Sequence, residues 1–220
     1  IFTPGKLARI RTPEGGNMAV NYATNNFDME EHTGAAVPLF GNMASASRAH
    51  ETSARDFAVE LLESVEPYGI LIVAGDNDTF PLWYAQEVLG VRKAVTIANT
   101  SLLNTDWYTR QLIRRPVHDY DEASGPAAFR GKTWVKPTGP VLKMTMDEAD
   151  RRRLYEEVAA PVVFTKGNIR ALIQPRVIPR AEILVLRMLN DNDTRRIHFS
   201  RTSADLAESN NTNIKGTADF

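Results

Sequence analysis

Apolar side chains at Ala54, Phe57, Ala58, Leu61, Leu62 and Val65 recur at three- and four-residue steps, the spacing of one helical face, and predict a helix from about Ser47 that stops before Pro67. The next apolar run, Ile70-Leu71-Ile72-Val73-Ala74, carries no charge and predicts a strand covered on both faces, as a central parallel strand is. A helix over about Pro81–Leu89, a strand over Ala94–Ala98 and a helix over about Trp107–Arg114 follow with short joints. This β-α-β-α alternation pairs its strands in parallel with right-handed crossovers. It predicts an α/β fold with a three-layer Rossmann-like, mainly parallel sheet and flanking helices.

Further along, the pattern loosens and then returns. Residues 116–141 are punctuated by Pro116, Gly125-Pro126, Gly131 and Pro137-Thr138-Gly139-Pro140, and read as a surface excursion. Thr145-Met146-Asp147-Glu148 has the form of a capping box and predicts a charged helix running to about Val158. Pro161–Thr165 and Asn168–Ile173 flank Lys166-Gly167, a small hairpin insertion over 161–174. A helix over Ala181–Leu189 and a last strand over Ile197–Ser200 complete the pattern. The expected organisation is a loop-rich N-terminal arm at 1–46, with one short strand near Leu7–Ile10, an α/β domain at 47–203 and a flexible tail at 204–220. Asp-Asn-Asp-Thr occurs at 76–79 and again at 191–194, a coincidence of turn chemistry, since the second copy follows a helix and not a strand.

Composition narrows the function more than the fold. The 26 basic and 27 acidic residues nearly cancel, so no global field favours nucleic acid as a partner. The absence of cysteine excludes disulfides, thiolate zinc sites, iron–sulfur clusters and cysteine nucleophiles, and leaves the compartment open. No window approaches the roughly 20 apolar residues that cross a bilayer. The start at Ile1, with neither an initiator Met nor a signal pattern, raises the expectation of a processed product or a fragment.

The candidate chemistry gathers where strands end. Gly75 permits a tight exit from the first strand, and Asp76, Asn77, Asp78 and Thr79 then offer side-chain oxygens at a helix start that continues to Pro81, Trp83 and Tyr84. Asn104, Thr105 and Asp106 repeat this arrangement after the second strand, before Trp107 and Tyr108. Two readings stand side by side. Either these residues cap helices, close turns and fill a core, or they form a polar pocket with aromatic walls suited to a sugar ring or a peptide. Arg195 and Arg196, just before the last strand, offer forks for a phosphate or a carboxylate. His32, His50, His118 and His198 form no metal-binding pair. Neither a Gly-x-Ser-x-Gly elbow, a Walker loop nor a Gly-x-Gly-x-x-Gly turn is present. The sequence therefore assigns no catalytic residue, no metal and no cofactor.

Several stretches together resemble one family. They are Ser47–His50 with Ala54–Ala58, the fourteen-residue Gly75–Val88 motif GDNDTFPLWYAQEV, Ser101–Tyr108 (SLLNTDWY), Lys136–Leu142 (KPTGPVL), Ile183–Arg187 and Arg195–Ser200. The family is that of bacterial multi-pass membrane proteins related to lipid-linked-sugar protein O-mannosyltransferases, and the resemblance covers roughly residues 41–145 and 180–202. It implies an extracytoplasmic, periplasmic region that follows a membrane-embedded catalytic half, with the sugar-transfer chemistry in that half. No catalytic residue carries over to this chain. Residues 1–40 do not look like the membrane segments expected before such a region, and 146–180 match the family pattern poorly. The expected function is a non-catalytic domain that binds acceptor polypeptide or glycan, with a membrane protein or the membrane-embedded half of the same family as partner. The alternatives are an accessory or scaffold subunit docking on the extracytoplasmic face of a membrane complex and, third, a free-standing carbohydrate-active enzyme using Asp76, Asp78 and Asp106.

Overall fold

The computed structural model describes residues 53–167 and 169–203, so the N-terminal arm expected at 1–46 and the tail expected at 204–220 lie outside the described residues. The described chain is mixed α/β, with five α-helices, a three-stranded parallel sheet and two two-stranded antiparallel sheets. It divides into two compact units.

The first unit holds residues 53–68, 76–95 and 118–136. Helices α1 (Ser53–Ser64) and α2 (Asp76–Glu87) pack together in it. Ala58, Leu62 and Val65 bury the expected face of α1, but Phe57 of the same periodic set is exposed, so the buried stripe is narrower than the sequence predicts. Helix α2 begins at Asp76, five residues before the predicted start at Pro81. The acidic segment is thus the first turn of the helix itself, where Asp76 and Asp78 complement the unpaired amides and the positive end of the helix dipole.

Residues 118–136 contain no strand and only one 3-10 turn, at Ala127–Phe129, and most of them are exposed, as a surface excursion should be. They are nevertheless tied down, by the Tyr120 amide, which donates to the Tyr68 hydroxyl at 3.3 Å, and by one cation. The buried Arg92 guanidinium lies 5.1 Å from the Tyr120 ring centre and 5.3 Å from that of Phe129, and donates to the Val65 carbonyl. Trp134 meets Phe129 edge-on at 5.7 Å and donates from Nε1 to its carbonyl at 2.9 Å. Gly125 leaves room for the Tyr120 ring, since a Cβ there would fall 2.1 Å from the Tyr120 hydroxyl and displace it.

The second unit holds residues 69–75, 96–117 and 137–203. Its centre is a parallel sheet of β1 (Ile70–Val73), β2 (Thr96–Asn99) and a short late strand at Ile197–Phe199, in the order β2, β1, late strand. Ile70 stands opposite both Thr96 and Ile197. All four residues of β1 are buried, which explains why its sequence, Ile-Leu-Ile-Val, shows no alternation. Helix α3 (Asp106–Arg114) follows β2 through a 3-10 turn at Leu102–Asn104.

The capping box forms at Thr145, whose hydroxyl accepts from the Glu148 amide at 3.1 Å, but helix α4 (Met146–Arg151) is far shorter than the predicted run to Val158. Tyr155–Val158 is instead strand β3, paired antiparallel with Arg176–Pro179, a strand that local periodicity does not reveal. The side chains of β3 alternate between exposed and half-buried, a period of two that overrides the helical reading once a partner strand supplies the hydrogen bonds. Strands β4 (Val162–Lys166) and β5 (Ile169–Ile173) form the expected hairpin. With β6 (Arg176–Pro179) and helix α5 (Arg180–Asp191) in place, the late strand at Ile197–Phe199 is β7. Helix α5 buries Leu184, Val185, Met188 and Leu189.

Candidate functional site

Because β1, β2 and β7 run parallel, their carboxyl ends share one edge of the sheet. The connection from β1 leads to β2 on one side while β7 lies on the other, so the strand order reverses at β1. In open α/β sheets such a reversal is where ligands settle.

Three local arrangements build this edge within the second unit. Gly75 leaves β1 with a φ of 73°, the left-handed region that glycine enters without steric penalty. Asn99, buried at the end of β2, donates from Nδ2 to the Gly75 carbonyl at 3.2 Å and accepts at Oδ1 from the Leu102 amide at 2.8 Å. One side chain thereby fixes the exits of two strands. Its backbone amide donates to the Tyr108 hydroxyl at 3.0 Å, and that hydroxyl donates to the Ile97 carbonyl at 3.1 Å. Burial pushes the Tyr108 phenol up to about 12, against the smaller lowering effects of the Asn99 amide and the Arg115 charge.

At the end of β7 the hydroxyls of Ser200, Thr202 and Ser203 cluster, with 2.8 Å between those of Ser200 and Thr202 and 3.3 Å between those of Ser200 and Ser203. Ser203 donates to the Ile72 carbonyl at 2.7 Å, and the Ala74 amide donates to the Thr202 hydroxyl at 3.4 Å. Ser200 and Ser203 are buried and Thr202 is exposed, and the cluster ties the end of β7 to the end of β1.

The predicted site residues separate into distinct settings. Asp76 and Asn77 are exposed on the first turn of α2, while Asp78 is buried. Trp83 and Tyr84 are 7% and 8% exposed, the burial of core aromatics and not of the walls of an open pocket. In the second unit, Asn104 and Asp106 are turned toward α5. Asn104 accepts from the Ala181 amide at 3.1 Å and so caps the start of α5, and Asp106 is ion-paired with Arg180. Trp107 is half-buried and meets Tyr108 edge-on at 5.5 Å. Arg195 and Arg196 stand at the amino end of β7, on the edge of the sheet opposite Asn104 and Asp106, since the Arg196 carbonyl accepts from the amide of Ile70, the first residue of β1. Arg195 is buried and Arg196 exposed.

Sequence reading missed Asn99, Arg180 and the Ser200–Ser203 hydroxyls as organisers. A polar residue closing an apolar strand was the available signal for Asn99. Nothing local marks Arg180, whose partners Asp106, Thr109 and Ala149 come from other elements. Among the described residues, no three His, Asp or Glu side chains converge to hold a metal ion, and no helix is long and apolar enough to cross a membrane.

Fold and edge define a mixed α/β protein built on a three-stranded parallel sheet with two small antiparallel sheets. Residues 54–159, just under half of the chain, match the family model described as TMEM260-associated domain 2. That span includes the Gly75–Val88 motif and the loop at 101–108, and it is consistent with the expected relation to protein O-mannosyltransferase-like membrane proteins. No curated protein and no solved structure matches the chain.

Proposed function

We propose that this chain is a non-catalytic, extracytoplasmic domain, similar to the region after the membrane half of a bacterial glycosyltransferase, that binds acceptor polypeptide or glycan at the carboxyl edge of its parallel sheet. The observation that carries the reading is the family match over 54–159, which spans the motif carrying the resemblance. In this reading β1, β2 and β7 are the centre of a three-layer Rossmann-like fold, and a membrane-embedded catalytic half, separate or once attached, is the partner. The exposed Thr202 at the end of β7 and the half-buried Trp107 ring are of the residue types that meet a sugar or a peptide.

Calorimetric titration with a Ser/Thr-rich acceptor peptide and with its mannosylated form tests the proposal. Thr202→Val and Trp107→Ala are expected to weaken binding at least tenfold while leaving most of the thermal stability in place. Asp76→Ala, on the exposed turn of α2, tests the motif separately. Absence of binding by the parent chain to either peptide would sink the proposal.

The accessory-subunit reading draws support from the exposed apolar side chains Tyr155, Val163, Leu172 and Val177 on the two small sheets. It requires stoichiometric co-purification with a membrane protein. Recovery only as a free monomer counts against it.

A further inference from the structure

Arg195 is 6% exposed and, among the described residues, meets no carboxylate. Its one hydrogen bond runs from Nη2 to the Gly139 carbonyl at 2.6 Å, and its buried Nε has no partner. A guanidinium has five N–H donors, so four remain open here. Burial holds this guanidinium below the ordinary arginine range, and no neighbouring acid offsets the effect.

The other buried arginines also keep one nitrogen without a partner, Nε of Arg180 and Nη1 of Arg92, but each meets more groups than Arg195 does. Arg180 has the Asp106 carboxylate, the Thr109 hydroxyl and the Ala149 carbonyl, and Arg92 has two aromatic faces and the backbone carbonyls of Leu62 and Val65. Removing a cation from water without a counter-charge is costly, and a planar fork with open donors is the shape that two oxygens of an oxyanion satisfy together.

We propose that Arg195, held by the Gly139 carbonyl at the amino end of β7, binds a small oxyanion, a phosphate or a carboxylate group. This site is on the sheet edge opposite the one in the proposed function, and it stands or falls independently of that reading.

Thermal unfolding of the full chain in sodium phosphate, in sodium acetate and in sodium chloride at equal ionic strength tests it. A saturable rise of the melting temperature in phosphate or acetate beyond that in chloride is expected, and the arm that rises identifies which oxyanion is preferred. Apparent affinity should fall at least tenfold in Arg195→Gln, with Arg195→Lys intermediate because an ammonium keeps the charge without the fork. The ¹⁵Nε resonance of Arg195, followed in the parent chain during phosphate and acetate titrations, gives a readout that does not depend on a variant folding. No shift of that resonance with either anion, or equal responses of the parent and Arg195→Gln, overturns the proposal.

Discussion

Two regions of the second unit bury an arginine, and they treat the charge in opposite ways. At the junction of α3, α4 and α5, Arg180 meets a carboxylate and a hydroxyl from α3 and a carbonyl from α4. At the entry to β7, Arg195 meets one carbonyl. The first arrangement is that of a structural clamp, since each bond ties α5 to another part of the unit and the burial cost is offset within the fold. The second leaves the cost uncovered. Buried charge alone therefore says little about role, and the count of satisfied donors separates a clamp from a receptor.

The contrast breaks most visibly at Arg180. Arg180→Ala is expected to cost about 2–4 kcal/mol, because three hydrogen bonds are lost, one of them to a carboxylate, and the Thr109 hydroxyl is left in a buried setting. Urea unfolding measures it, and a loss below about 0.5 kcal/mol would remove the clamp from the comparison. Asp106 is 56% exposed on its side chain, so its own share is discounted for solvent screening.

Tyr108 sharpens the same comparison for an uncharged group. Its folded pKa, about 12, lies above the ordinary phenol value of 10.0, so its stabilising contribution is complete below pH 10 and is lost as pH rises through 12. Over that window the parent should lose about 2–3 kcal/mol more than Tyr108→Phe. Stability curves of the two proteins that stay parallel from pH 9 to 12 would contradict the burial effect.

Smaller effects are expected at Gly75 and Arg195. Gly75→Ala places a Cβ at a φ of 73°, where strain and not crowding is the penalty, since no atom lies within 4 Å of the added carbon. About 1–2 kcal/mol should be lost in denaturant titrations. In chloride buffer Arg195→Met is expected to be neutral or to gain up to about 1 kcal/mol, since it removes a buried charge with one neutral partner. A cost as large as that of Arg180→Ala would erase the difference between the two regions.

Local pattern made the central strands and the long helices legible. Ile70–Val73 could be recognised by its uncharged run, and α5 by its dense apolar body, because burial on both faces or along one helical stripe selects residue types directly. The acidic motif was legible as a helix start but not as the first turn of that helix, since Asp and Asn serve both roles and the decision falls to backbone geometry. The continuation of α4 into 155–158 was misread, because Tyr155–Val158 forms its hydrogen bonds with Arg176–Pro179, well beyond any local window.

At the candidate site, the sequence identified the ends of β1 and β2 but not the side chain that joins them. Asn99 reaches Gly75 only because β1 and β2 pair in register. Residue pattern was enough to mark the central parallel strands, the hairpin and the absence of thiol chemistry, and residues 54–159 match the model described as TMEM260-associated domain 2. Packing alone made Trp83 and Tyr84 core, set Asp106 against Arg180 and left Arg195 without an acid among the described residues. Residue type fixes what a side chain is able to bind, whereas burial and the partners within reach, set by contacts distant in sequence, fix what it has left to offer.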